Sequence, residues 1–237
     1  IRPKILICCP SNITQVEKNA IKEAAECTGA KKVFLEEEPK VAAIGTGMDI
    51  NTPSANMIVD IGGGTTDIAV LSIGGIVTSL SIKTAGNTLD RDIKKYIKQK
   101  YKLLIGDKTA ENIKIKIGSV HKPDQSERME VKGRNLMSGL PNTIEITSEE
   151  VEEAIRDSIL ELVKAIKSVL EITPPELSAD IVDKGLVLTG GGALINGLPE
   201  LLEKELKIPV VIAESPLTSV ADGTGVLLNH LDWLSSE

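Results

Sequence analysis

The segment Asp60-Ile-Gly-Gly-Gly-Thr-Thr-Asp67 constrains this chain more than any other, because it joins two apolar runs that both read as strands. Met57 to Asp60 forms one strand, Ile61 to Thr65 a turn, and Thr66 to Ile73 the next. Three consecutive glycines let the chain bend tightly and bring backbone N–H groups up to a phosphate with no Cβ in the way. Thr65 adds a hydroxyl donor. Asp60, at the end of the first strand, is suited to hold Mg²⁺ through water, since magnesium keeps much of its hydration. The alternative is a glycine turn that binds nothing. Neither common nucleotide fingerprint fits. There is no Gly-Lys-Ser/Thr for a P-loop, and Gly62-Gly-Gly64 opens a strand where a dinucleotide-binding turn opens a helix.

Around this turn the pattern is α/β. A buried strand at Lys4 to Cys9 leads to a helix with a capping box at Thr14 and Glu17 and a C-terminal Gly29. Lys32 to Leu35 is a second strand, and Glu36-Glu37-Glu38-Pro39 opens a small-residue helix through Ile44, with Pro39 at its first position. Thr46 to Asn56 reads as a linker. Gly74-Gly75 turns the third unit back into Ile76 to Ile82, so three strands meander together. Helices follow at Thr88 to Tyr101 and Thr109 to Ile117, and Val120 to Asn142 is polar, turn-rich and lightly stranded. A capping box at Thr147 and Glu150 starts a long amphipathic helix that Pro174-Pro175 stop. A strand at Gly185 to Thr189, the turn Gly190-Gly-Gly192, a helix from Ala193 to Leu206 and a strand at Val210 to Ala213 come next. The second triglycine could pack its backbone against a ribose or base, or simply allow close helix–strand packing. A third cluster, Ala221-Asp-Gly-Thr-Gly225, is expected to open a last apolar helix that runs to Leu234.

Composition narrows the function. The 237 residues carry a formal charge of −7, which opposes a nucleic-acid backbone as main partner. Four aromatic residues, Phe34, Tyr96, Tyr101 and Trp233, are too few for base-stacking platforms. Cys8, Cys9 and Cys27 are odd in number and lack CxxC spacing, so reduced thiols and a cytoplasmic setting are expected, with no zinc site. No run reaches the roughly 18 apolar residues of a membrane span. The lysines at 94, 95, 98, 100 and 102 invite a membrane or acidic-partner reading, but their spread around a helix favours a solvated face.

The ordered set of Glu36-Glu-Glu-Pro39, the Asp60–Asp67 turn, Thr189-Gly-Gly-Gly-Ala-Leu194 and Ala221-Asp-Gly-Thr-Gly225 resembles the actin, sugar-kinase and heat-shock-chaperone ATPase superfamily. Within it, Lys40-Val-Ala-Ala-Ile-Gly45, Tyr101-Lys-Leu-Leu-Ile-Gly106, Thr109-Ala-Glu-Asn-Ile-Lys114, Ser138-Gly-Leu-Pro141 and Thr173-Pro-Pro-Glu-Leu-Ser-Ala-Asp180 resemble the MreB/Mbl bacterial actins, over essentially the whole chain. The resemblance implies an actin-like ATPase fold with two ribonuclease H-like lobes around a cleft that holds ATP and Mg²⁺. It divides the chain into 1–53, the remainder of the first lobe; 54–92 and 147–219, the core of the second; 93–146, a small insert; and 220–237, a helix returning to the first lobe.

Carried over by position, Asp60 matches the carboxylate near the metal. Gly62, Gly63, Gly64 and Thr65 match the phosphate loop, and Glu38 matches the residue that orients the attacking water, so Glu38 and Thr65 are the candidate catalytic residues. By themselves Glu36 to Glu38 read as a solvated acidic run. Glu111 and Lys114 match positions beside the ribose and base, and Asn112 and Ile113 count with them as nucleotide-binding; the spacing alone favours an exposed Glu111–Lys114 pair. Gly191, Gly192, Ala193 and Leu194 match the adenosine loop. The expected activity is ATP hydrolysis coupled to a homopolymer filament on the inner face of the cytoplasmic membrane, working with cell-wall synthesis proteins to set rod shape. The family's first phosphate hairpin has no counterpart here, so the first lobe is expected to be incomplete and the chain a fragment. A small-molecule kinase, a chaperone-like ATPase and a non-enzymatic scaffold are the competing readings.

Overall fold

The structure is a computed structural model and describes residues 2–120 and 126–230. Its first half runs β1 (Lys4–Cys9), α1 (Gln15–Cys27), β2 (Lys32–Glu37), α2 (Glu38–Gly45), β3 (Asn56–Ile61), β4 (Thr66–Ser72), β5 (Gly75–Ile82), α3 (Gly86–Tyr101), β6 (Leu103–Leu104) and α4 (Asp107–Ile117). The second half runs β7 (Arg128–Asn135), β8 (Pro141–Thr147), α5 (Ser148–Ile172), α6 (Pro175–Lys184), β9 (Leu186–Thr189), a 3-10 turn at Gly191–Leu194, α7 (Leu198–Leu206), β10 (Val210–Ile212) and α8 (Ser219–Asn229).

The described residues form three sheets. β1 and β2 pair in parallel across the α1 crossover. A mixed five-stranded sheet has the order β10-β9-β3-β4-β5, in which β10, β9 and β3 are parallel and β3, β4 and β5 form the meander that the sequence predicts. The third sheet, β6-β7-β8, is antiparallel. Its two long strands replace the lightly stranded stretch expected from Val120 to Asn142, whose residues 121–125 lie outside the described part. Polar outward positions hide this hairpin from a composition reading, because only Met129, Val131, Ile144 and Ile146 turn toward the core.

The five-stranded sheet is covered on both faces, and its central strands are apolar on both. Met57, Val59, Ile61, Ile68 and Val70 face the large core shared with α3, α4 and α5. Ile58, Ala69 and Leu71 face a smaller core with Ala42 and Ala43 of α2. The two-residue period of a strand assigns alternate residues to the two layers. β6-β7-β8 contributes Leu103, Val131 and Ile146 to the same large core, so the insert does not have a core of its own.

Both capping boxes form as predicted: the Thr14 and Thr147 hydroxyls accept from the N–H of Glu17 and Glu150, and each carboxylate accepts from the capping residue's own N–H. Thr147→Ala should therefore cost about 1 kcal/mol in urea unfolding. The same change at Thr14 should cost less, because no residue of α1 is buried and the helix contributes little to the core.

Several boundaries depart from the sequence reading. β2 continues to Glu37, so α2 begins at Glu38 and Pro39 takes its second position. Pro174-Pro175 end α5 but also start α6, since proline is tolerated in a first turn. The helix expected from Ala193 begins only at Leu198, because Gly197 adopts φ +79° after the 3-10 turn. Ala221 to Gly225 does not open the last helix but lies inside α8, packed on α2; residues beyond 230 are outside the described part. The three cysteine thiols are free.

Candidate functional site

Strand alternation sets up the site. Asp60 and Asp67 are register partners across β3 and β4, on the face that carries Ile58, Ala69 and Leu71 and so turned toward α2. Glu38 is the first residue of α2, and three carboxylates converge there. Asp60 is 7% exposed and Asp67 2%. Burial, with Glu38 and then Asp67 adding repulsion, pushes the Asp60 carboxyl up to about 7. Glu38 is raised by burial and by the Asp67 charge. Asp67 is raised by burial, which the Ser81 and Thr65 hydroxyls and the Ser11 N–H partly offset. None of these groups satisfies its Oδ1 at hydrogen-bond distance and angle, and that buried oxygen is left without a partner among the described residues. Among the described residues, no basic side chain is among the groups acting on the three acids.

The acidic run therefore divides by partner. Glu36 is ion-paired to Lys40 at 2.8 Å and Glu37 to Lys18 at 3.6 Å. Glu38 instead faces the aspartates. A solvated run would leave all three alike, and the strand that extends to Glu37 is what turns the third one inward.

The Gly62–Gly64 turn is open. Gly62 N–H donates to Thr65 O at 3.0 Å, closing the bend. The carbonyls of Gly62 and Gly63 accept from the N–H groups of Gly86 and Asn87 at 3.0 and 2.8 Å, which fixes the turn to the start of α3. Gly63 and Gly64 are exposed, their N–H groups have no partner among the described residues, and a Cβ on Gly64 would meet nothing within 4 Å. The α3 N-terminus is a part of the site that sequence reasoning missed; the helix begins two residues before the expected Thr88, and no local signal marks Gly86 as the clamp.

The second glycine turn sits against the end of β3. Gly190 has φ +80°, and a Cβ there would lie 2.5 Å from Asp60 Oδ1 and 2.4 Å from Ile61 O. One on Gly192 would lie 2.2 Å from Ile61 Cγ2. Close packing thus accounts for these two glycines. Gly191 and Leu194 remain exposed, and Ala193 is fully buried. On α4, Glu111 and Asn112 are exposed, whereas Ile113 is 0% exposed in the large core, so its side chain is not available to a ligand. Lys114 does not form the expected pair with Glu111. It reaches Asp90 at 2.9 Å and donates to Gly86 O at 3.0 Å, tying α4 to the start of α3 beside the first glycine turn.

These residues fit an anion and a hard dication. Exposed glycine amides supply donors with no side chain in the way. A buried carboxylate cluster lacking any counter-charge is completed by a divalent cation, and oxygen donors suit magnesium. No three of the described His, Cys, Asp or Glu residues converge closely enough to grip a metal directly. Cavities of about 290 Å³, beside α1 and β2, and 460 Å³, between α2 and α8, lie away from the glycine turns and touch none of the candidate residues.

Comparison with known proteins is consistent across sequence and structure. The family model described as MreB/Mbl protein matches residues 1–236. The cell shape-determining protein Mbl of Bacillus subtilis (strain 168) is 61% identical over 233 residues, which cover 98% of this chain and 70% of that protein. The cell shape-determining protein MreB of Escherichia coli (strain K12) is 47% identical over 230 residues, covering 97% of this chain and 66% of that one. A crystal structure of MreB5 of Spiroplasma citri bound to ADP superposes with a TM-score of 0.93 at 42% identity, covering 96% of this chain and 69% of that one. The AMPPNP-bound form gives 0.92 at the same identity. A MamK double helical filament, at 23% identity and a TM-score of 0.80, shares the fold.

Proposed function

The chain belongs to the MreB/Mbl protein family, and from that premise we propose that it is a cell-shape-determining bacterial actin that binds ATP with Mg²⁺ between two lobes. It assembles with copies of itself into filaments at the cytoplasmic face of the membrane, where they organise wall synthesis. In this reading residues 1–53 and 220–237 belong to the first lobe, 54–92 and 147–219 to the core of the second, and 93–146 to its insert. The packing of α8 on α2 and β1 supports that division.

The observation that carries the reading is the pairing of an open glycine turn with an uncompensated carboxylate cluster beneath it. The amides of Gly63 and Gly64, with the Thr65 hydroxyl, hold the phosphates, and Asp60 holds the hydrated cation. Bound Mg²⁺ would neutralise phosphate charge. Glu38, at the start of α2, orients the attacking water, since phosphoryl transfer needs chiefly a positioned nucleophile and balanced charge. Gly191, Gly192 and Leu194 flank the nucleoside, and Lys114 holds the start of α3 in place. Nucleotide spanning the lobes biases their relative rotation, and hydrolysis releases that bias to the filament contacts.

The test is pelleting and electron microscopy with ATP and Mg²⁺, on the chain alone and on a form extended at its N-terminus by the first phosphate hairpin of the Bacillus subtilis relative. The extended form is expected to form filaments. An ATP-binding protein that stays in the supernatant under all such conditions and phosphorylates a small molecule would be a kinase. In the extended form, Glu38→Ala should bind ATP with little loss and release phosphate on the order of a hundredfold more slowly; undiminished release would remove Glu38 from the mechanism.

A further inference from the structure

The Gly62–Gly64 turn can offer its amides to an anion only while two of its peptide planes face the right way. A trans peptide is rigid and planar, so the Gly62 carbonyl and the Gly63 N–H point in opposite directions from one unit, as do the Gly63 carbonyl and the Gly64 N–H from the next. Both carbonyls are pinned from behind, by the Gly86 and Asn87 N–H groups at 3.0 and 2.8 Å. The first turn of α3 therefore aims the two exposed amides.

No side-chain cap fixes that first turn, because Ala85 stands at the N-cap position. A second helix holds it instead: Lys114 of α4 donates to the Gly86 carbonyl at 3.0 Å. In an α-helix this carbonyl already accepts from the N–H four residues on, that of Asp90, so Lys114 uses its second lone pair. Residues four apart share a helix face, and the Asp90 carboxylate accordingly stands 2.9 Å from the same ammonium. Both side chains of the pair are only 13% exposed. Asp90 Oδ1 takes no hydrogen bond of regular geometry, so attraction of charge, and not a directed bond, holds the contact. A Cβ on Gly86 would lie 3.3 Å from both Lys114 Nζ and Gly62 O, which marks this residue as the crowded point where α4 and the glycine turn meet α3.

We propose that Asp90 is a positioning residue for phosphate binding. By holding Lys114 against the Gly86 carbonyl, it keeps the start of α3 seated on the glycine turn and the Gly63 and Gly64 amides turned outward. This rests on the reading above, in which those amides are the phosphate donors. Lys114 comes from segment 93–146 and Asp90 from 54–92, so the pair also couples the insert to the phosphate turn.

Amide exchange in the nucleotide-free chain tests the seating of α3. Asp90→Asn and Lys114→Met should each speed exchange of the Gly86 and Asn87 N–H groups on the order of tenfold, with amides in the middle of α5 unchanged. Asp90→Glu keeps the charge and should restore a rate close to that of wild type. Asp90→Asn combined with Lys114→Met leaves no buried charge unpaired, so it keeps the test open if a single variant unfolds. It should exchange as fast as the singles. In the N-terminally extended form, Asp90→Asn should weaken ATP binding on the order of tenfold, and the double variant no further. Wild-type exchange at Gly86 and Asn87 in the double variant would overturn the proposal. So would ATP affinity that falls with Lys114→Met and not with Asp90→Asn, which would make Lys114 a direct ligand. An extended wild type that binds no ATP would count against the phosphate reading, while exchange would still decide whether Asp90 seats the turn, so the two fail separately.

Discussion

Asp60→Asn should raise the melting temperature of the nucleotide-free protein by on the order of 5 °C at pH 8 while leaving it nearly unchanged at pH 4. The sign follows from the shift. The Asp60 carboxyl titrates near 7 in the folded protein against an ordinary value of 3.8. Between those two values the unfolded chain is ionised while the folded one retains its proton, so wild-type stability declines as pH rises through that window and the loss is complete above about 7. At about 1.4 kcal/mol for each pH unit the full cost is no more than about 4.5 kcal/mol. Asparagine keeps the shape and removes the charge, so its advantage grows from pH 4 to pH 7 and then levels off. Mg²⁺ should stabilise wild type at pH 8 and fail to stabilise the variant, because the cation's effect depends on the carboxylate it completes. Wild-type and variant melting temperatures that run parallel with pH would show that the acids under the glycine turn are not mutually repelling. The expected gain in stability with loss of ligand is the trade-off of a site kept strained for use.

The second large effect lies at the crossing of α2 and α8. A Cβ on Gly223 would sit 1.9 Å from Val41 O, and one on Gly45 would sit 1.8 Å from Ser219 O. Both obstacles are backbone, so no side chain can turn aside. Gly223→Ala must push the helices apart and should cost about 3 kcal/mol or more in urea unfolding, at or above the upper end of ordinary overpacking. Two residues along the same helix, Gly225 has nothing within 4 Å of its Cβ position. Gly225→Ala should therefore stabilise by about 0.5–1 kcal/mol through helix propensity alone. Opposite signs for neighbouring, chemically identical changes isolate packing from propensity; equal effects would mean that the two backbones do not touch. Because Glu38 begins α2, Gly223→Ala should also slow phosphate release in a form competent for hydrolysis.

Much of the scaffold was readable from short-range pattern. Capping boxes at Thr14 and Thr147, the Gly74-Gly75 hairpin and the strand–turn–strand around Gly62–Gly64 depend on residues within four or five positions of one another, and all form. The boundaries that slipped involve the same residue types used in a second way. Pro175 both ends one helix and begins the next, and Gly197 interrupts a helix whose apolar spacing on either side looks continuous. The β7–β8 strands escaped because a sheet with one wet face carries half the apolar signal of a buried strand.

The candidate site divides along the same line. The glycine turn and Asp60 are visible in eight consecutive residues, because a bend without Cβ atoms beside a strand-end carboxylate is a local property. That Asp67 lies opposite Asp60, that Glu38 rather than Glu36 or Glu37 turns toward them, and that Lys114 reaches back to Gly86 are consequences of strand register and helix packing. Gly223 reads as a loop glycine in sequence and becomes a helix contact only where Val41, 182 positions away, meets it. Local chemistry specifies the bend that can accept a phosphate; which charges are gathered beneath it is decided only when the sheet order brings distant segments together, since burial and charge repulsion act through space and not along the chain.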